Sequence, residues 1–256
     1  MTRAALLGIV LALVPASAGA SAPTRPLALT AAPARLVLLG SGSDRVRVRN
    51  PGTKRIAIDV ALAGLSLDLR GRPHIVVRRS ARSAALWLRV RPTHVNLAPH
   101  ATAHLRVSAS VPRRAEPGDH DALVLLSSRP LAGGRVSVRL RLGVVVVVRA
   151  PGAVVRRLKL GRLRVARRGS MRALELVVVN AGNVTERLRR VRTFVSPPSG
   201  RRIANVAALA RELRPKTRGL LEFNLRTGLR GPVTAHVVVP AEPGRAVIRR
   251  TYRLRV

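Results

Sequence analysis

The groups with binding chemistry in this chain are guanidiniums. Arg45, Arg47 and Arg49 recur at every second position, which on an extended strand puts all three on one face. Arg135, Arg139 and Arg141 also sit at even spacings, and Arg187, Arg189 and Arg190 form a third group. A guanidinium presents a planar fork of donors that pairs bidentately with a carboxylate or phosphate. The binding candidates are therefore Arg45, Arg47, Arg49, Arg139, Arg141, Arg187, Arg189 and Arg190, although a solvated sheet face is the plainer reading of any one set. The sum matters more: 48 Lys and Arg stand against 11 Asp and Glu, for a net charge of +37. Only Lys54, Lys159 and Lys216 are lysines. A GC-rich genome explains that bias towards Arg, but not the shortage of acids. A field of this size attracts polyanions such as wall polymers, anionic lipid headgroups or nucleic acid.

Catalytic chemistry is hard to find. The chain has no Cys, and it lacks the GxSxG, P-loop, GxGxxG and HExxH patterns. His100 and His104 have helical spacing, yet Pro99 and the alternation that follows put them on a turn and a strand. Asp119-His120-Asp121 offers metal-ligand types, but three adjacent residues on a turn rarely converge on one ion, so a solvated loop is expected there. His74, His94 and His236 are isolated. Asn183-Val184-Thr185 fits a glycosylation sequon. No catalytic residue, no metal and no cofactor are expected, and the chain reads as a non-enzyme. With two Phe, one Tyr and one Trp it lacks the stacking surface of single-strand binders, so nucleic acid is not an expected partner.

The elements that carry the Arg sets read as strands. From Thr102 to Val111, Ala103, Leu105, Val107, Ala109 and Val111 alternate with polar residues, a period of two that marks a half-buried strand. Pro112 removes a backbone donor, Glu116-Pro117-Gly118-Asp119 reads as a turn, and Ala122–Ser128 follows. This predicts a β-hairpin. Further strands are expected over Leu36–Leu39, Arg45–Asn50, Arg55–Ala63, Ile75–Arg78, Ala85–Arg91 and Arg135–Arg149. The second half adds Val154–Val165, Ala173–Asn180, Leu188–Val195, Arg218–Leu225, Val233–Val239 and Ala246–Val256, with Ile203–Leu213 ambiguous between a helical turn and a strand. Short strands with regular turns argue for β-sandwiches. The valine run within Gly143–Val148 is too short to span a membrane and reads as a strand buried on both faces. RVRVRNPG (Arg45–Gly52) is echoed by LELVVVNAG (Leu174–Gly182), and VPRRAEPG (Val111–Gly118) by VPAEPG (Val239–Gly244), which suggests an internal duplication.

The expected organisation is a signal peptide over 1–22, a linker over 23–33, and two tandem immunoglobulin-like β-sandwich domains over 34–149 and 150–256. Arg3, the apolar stretch Ala4–Val14 and the small residues up to Ala22 have the form of a cleavable export signal. No Cys follows that could take a lipid anchor. An exported, envelope-associated protein without a membrane anchor in its mature chain is expected.

WLRVRPTHVNLAPHATAHLRVSASVP, followed by AEPGDHDALVLL, resembles the peptidoglycan-binding Ig-like domain of WxL-interacting cell-surface proteins. Pro92, Leu97, Pro99, Val107, Val111, Pro112, Pro117 and Gly118 fall on that pattern. LELVVVNAGNVTERL, LLEFNL and YRLRV are similar to the Ig-like domain that follows it. Members usually carry a C-terminal membrane helix, whereas this chain ends on a strand, and their sandwiches are richer in aromatics. The resemblance implies a first domain that binds peptidoglycan and a second that binds a surface protein partner, with the Arg field drawing the protein to wall polyanions. The alternative is a periplasmic-type chaperone or assembly factor that pairs a sheet edge with surface subunits. A long unpaired edge would favour it.

Overall fold

A computed structural model describes residues 28–76, 83–129, 139–168, 171–200, 204–225 and 230–256. The expected signal peptide, residues 23–27 of the linker and Arg135 lie outside the described residues.

The chain is all-β and forms tandem sandwiches. The first runs through β1 (Thr30–Ala32), β2 (Arg35–Leu39), β3 (Gly42–Arg49), β4 (Ile56–Leu67), β5 (Pro73–Val76), β6 (Leu88–Arg91), β7 (His94–Leu97), β8 (Thr102–Ala109), β9 (Gly118–Ser128) and β10 (Arg141–Ala150). One sheet has the order β1-β3-β8-β6; the other has β2-β10-β9-β4-β5, with β7 also on β4. The alternation read from the sequence sets the core. Val46 and Val48 of β3 and Leu105 and Val107 of β8 point inward against Ile56, Ile58, Leu126 and Val146 of the facing sheet. Val144, Val146, Val147 and Val148 are buried, and Val145 is half-buried.

The second sandwich comprises β11 (Leu158–Arg168), β12 (Met171–Asn180), β13 (Glu186–Leu188), β14 (Arg192–Ser196), β15 (Ala204–Ala207), β16 (Arg211–Leu213), β17 (Arg218–Leu225), β18 (Pro232–Val239) and β19 (Ile248–Arg255). Its sheets are β11-β12-β17 and β15-β14-β18-β19, with a short β13-β16 pair. Phe223, Leu174, Leu176 and Val195 sit at the centre of a separate apolar core.

The sequence echo has a structural counterpart. The Asn50 side chain donates to the carbonyls of Lys54 and Ala98 at 2.8 and 3.0 Å and accepts from Gly52 N–H at 3.0 Å. Asn180 donates to Val184 and Leu213 at 2.8 and 3.0 Å and accepts from Gly182 N–H at 3.0 Å. Both side chains are fully buried. One amide in each domain thus closes its own turn and ties it to a distant strand.

Several expectations are corrected. β8 and β9 form no hairpin: β8 pairs with β3 and β6, β9 pairs with β4 and β10, and the Pro112–Pro117 segment carries the chain from one sheet to the other. A turn signal shows where a strand ends, not which sheet the next one joins. β1 lies in the expected linker and adds to β3. Ala84–Leu86 is a 3-10 turn held by the Ser83 hydroxyl, so the strand expected from Ala85 starts at Leu88. His94–Leu97, between two prolines, is a strand on β4. The Leu188–Val195 run breaks at Arg190, whose φ of 55° lies in the left-handed region. Residues 154–157 belong to no strand, and the ambiguous 203–213 stretch contributes two short strands, β15 and β16.

Candidate partner-binding edge and domain junction

The second sheet of the first sandwich has an outward face whose chemistry changes row by row. The register brings Asp119 of β9, Arg149 of β10 and Leu39 of β2 into one row, and Asp121, Val147 and Val37 into the next. Leu123, Val145 and Arg35 follow, then Leu125 opposite Gly143. Ala61 and Ala63 of β4 flank Leu125 and Leu123. The first two rows carry Asp119, Arg149 and Asp121 beside Leu39 and Val37, which are 72% and 42% exposed; Arg35 stands in the third row, and beyond it the face is apolar.

The ionic end joins the domains. Arg149 grips Asp119 through two donors at 2.6 and 3.1 Å, while Asp119 also accepts the Thr185 N–H of the second domain at 2.8 Å. Asp119 N–H donates to the Asn183 carbonyl at 2.8 Å. Gly118 permits this approach: its φ is 112°, and a Cβ there would lie 2.0 Å from the Asn183 oxygen. Arg214 reaches back from the second domain to the Asp121 carboxylate and the Leu65 carbonyl. Arg35 pairs with Glu212, which also meets Arg187 at 3.4 Å. A second strip adds Leu220 N–H to the Leu69 carbonyl at 2.7 Å, and Arg70 to Glu175 and Glu222 at 3.4 and 3.6 Å.

Burial acts differently on the two junction acids. It pushes the Asp119 carboxyl up, but the hydrogen bonds from Arg149 and Thr185 overcome it, and the net shift is down. Asp121 is more deeply enclosed; burial dominates, Arg214 offsets only part of it, and its carboxyl is raised. Burial and the nearby Arg187 lower the Arg35 guanidinium from its ordinary value.

The apolar end meets an open edge. β2 pairs in parallel with β10 over Val145–Arg149, while β9 covers the whole of β10 from Arg141. On the side away from β9, no strand among the described residues pairs with positions 141–144. Leu123 packs over Gly143 in the outward row: a Cβ at position 143 would lie 2.8 Å from Leu123 Cδ1.

The predicted Arg sets do not converge. Arg45, Arg47 and Arg49 are exposed on the outer face of the other sheet, with Arg45 opposite Arg106 and Arg47 opposite His104. Arg139 precedes β10, and Arg141 is exposed at its first position. Arg187 belongs to the junction through Glu212, whereas Arg189 and Arg190 are exposed in the turn before β14. The solvated loop expected at Asp119-His120-Asp121 is corrected: all three are buried at the start of β9, and His120 stacks on Trp87 with ring centroids 4.3 Å apart. No group of three metal-ligating side chains occurs among the described residues. The sequon is structural too. The Asn183 amide donates to Pro117 and Ala153 at 3.1 and 2.8 Å and accepts from Val155 N–H at 2.7 Å, which locks it into the junction. Asp119 and Asp121 were missed as junction residues, although their spacing of two already put them on one face, opposite His120.

No family model and no curated protein matches the chain. Solved structures do. A chain from the chaperone–tip adhesin complex of CFA/I fimbriae matches with 13% identity over 88% of this chain and 98% of its own, at a TM-score of 0.51. The class 5 fimbriae chaperone CfaA matches with 14% identity over the same shares, 88% and 98%, at a TM-score of 0.50. The fold is a tandem pair of immunoglobulin-like sandwiches. At this identity the likeness establishes the fold. The expected main function, the binding of peptidoglycan or anionic wall polymers, is corrected: the solved structures that the chain matches here are of a fimbrial chaperone and of a chaperone–tip adhesin complex. Among the described residues no helix is long and apolar enough to cross a membrane.

Proposed function

We propose that this chain is a non-catalytic chaperone or assembly factor, exported to the cell envelope, that holds a surface subunit by adding one of the subunit's strands to the open edge of β10. The observation that carries this reading is the unpaired side of Arg141–Val144 beside an apolar outward face. Backbone donors and acceptors along an open edge supply affinity for an extended segment, and alternate side-chain positions supply selectivity. Half-buried Val145 and Leu125, beside the open stretch, offer apolar contacts to side chains of an incoming strand. The ion pairs at the other end fix the second domain beside this face. The fold likeness to a fimbrial chaperone, and to a chaperone–tip adhesin complex, fits such a role.

The test is co-expression in a bacterial periplasm with a panel of fimbrial subunits, the CFA/I tip adhesin among them. The expected result is soluble subunit that co-elutes with the chain as a one-to-one complex, and loss of both with Val145→Glu. Failure of the whole panel, or a Val145→Glu variant that folds and performs like the parent, would reject the reading.

A further inference from the structure

We infer that the second domain carries an anion site, separate from the β10 edge, that takes a phosphate-bearing group. It lies where the edge strands of the two sheets, β11 and β19, face each other across a groove of about 900 Å³. Five arginines line this groove: Arg162 and Arg164 from β11, and Arg250, Arg253 and Arg255 from β19. No acidic residue lines it.

Two side chains build its floor. The Tyr252 hydroxyl donates to the Gly161 carbonyl at 2.9 Å, and the Arg250 guanidinium donates to the Leu160 carbonyl. Arg250 also lies over the Tyr252 ring, 5.2 Å from its centroid, a cation–π contact that fixes the charge in place. The β11–β12 register shifts between Leu160 and Leu163, at the point where these bonds arrive. Bonds between the two sheets therefore fix the two walls of the groove relative to each other.

Its charge is poorly compensated. Arg164 pairs with Glu175 at 2.7 Å. Arg162, Arg253 and Arg255 have no carboxylate partner among the described residues. Several acids of the described residues are engaged elsewhere: Asp119, Asp121 and Glu212 at the junction, and Glu186 with Arg156 and Arg245 at 3.2 Å each. Three lining arginines without a carboxylate partner among the described residues offer more donors than a single carboxylate can occupy. A phosphate or diphosphate group has the oxygens and the charge to engage several forks at once. The volume admits a free diphosphate or a phospholipid headgroup, and these share the chemistry that the site recognises.

The experiment uses the mature chain in 150 mM NaCl, where long-range attraction is screened beyond about 8 Å. Pyrophosphate is titrated by calorimetry. Flotation is measured with vesicles of phosphatidylglycerol in phosphatidylcholine, against phosphatidylcholine alone. Two variants of equal charge loss are compared: Arg162→Ser/Arg253→Ser/Arg255→Ser, which empties the groove, and Arg45→Ser/Arg47→Ser/Arg49→Ser, which strips the outer face of the first domain. Saturable binding to pyrophosphate, to the anionic vesicles, or to both is expected. The groove variant should bind at least about tenfold more weakly, while the outer-face variant stays within about twofold. Pyrophosphate binding with no flotation identifies a soluble phosphate ligand, and flotation without pyrophosphate binding identifies a headgroup. Equal losses in the two variants, or no saturable binding to either probe, would overturn the site. Subunit capture at β10 is read separately and does not depend on this outcome.

Discussion

The two sandwiches use the same buried asparagine and then present opposite chemistry at their edges. In the first domain, β10 shows valines, a glycine and an open backbone, with its ion pairs gathered at the junction end. In the second, β11 and β19 show arginines around a groove without acids. A shared internal latch leaves the outward positions of these strands free to diverge, while their inward residues, Val144 and Val146 of β10 and Leu160 and Leu163 of β11, stay in the cores. Each edge therefore fits a different partner chemistry: an extended chain at β10, an anion between β11 and β19.

Perturbing the cores should produce the largest effects. Phe223→Ala and Leu126→Ala, each emptying a fully buried site, should cost about 3–5 kcal/mol and about 2–5 kcal/mol respectively. If the domains are coupled only through the junction, each variant lowers one of two denaturant transitions, resolved by circular dichroism. A single transition that shifts as a unit would instead make the junction part of one cooperative core. Asn50→Ala and Asn180→Ala should each cost about 3 kcal/mol, because each strands buried backbone groups. Equal losses would confirm equivalent latches.

The junction should respond less, and unequally. Asp119→Asn should cost about 2 kcal/mol by weakening a buried pair. Asp121→Asn should cost less, because burial already works against the ionised form of Asp121. The pH dependence has opposite signs. The Asp119 contribution is present above the ordinary carboxylate range and is lost as pH falls through its depressed value. For Asp121, the raised folded value means that acid relieves a cost. Thermal melts of the two variants from neutral to acid pH check both. The smallest effects should come from exposed charge. Arg45→Ser/Arg47→Ser/Arg49→Ser should stay within about 0.5 kcal/mol. Hydrogen bonds from Arg129 and His94 hold the Asp59 carboxyl at about 2, so its NMR titration should stay flat until pH falls towards that value.

The sandwich class and most strands were legible because period-two alternation and turn residues are local signals. Leu105, Val107 and Ala109 were placed on the right face by pattern alone. Pairing was not legible: the alternation in β8 and β9 is the same whether they form a hairpin or lie in opposite sheets. The Arg groups were visible as charge, but a strand face does not reveal which charges meet. Arg187 went to Glu212, Arg45 went to solvent, and the groove arginines of β19 gave no short motif because their partners on β11 lie some ninety residues away in the chain. The valines of β10 were expected to be buried on both faces. The open stretch at the start of the strand depends on where the parallel pairing with β2 begins, at Val145, which no local pattern encodes.

The most direct measurement is amide hydrogen exchange on the chain, free and bound to a co-expressed fimbrial subunit. The account predicts new protection concentrated at the Arg141–Val145 amides, with β11 and β19 unchanged. A stable complex in which β10 exchanges as it does in the free chain would contradict it.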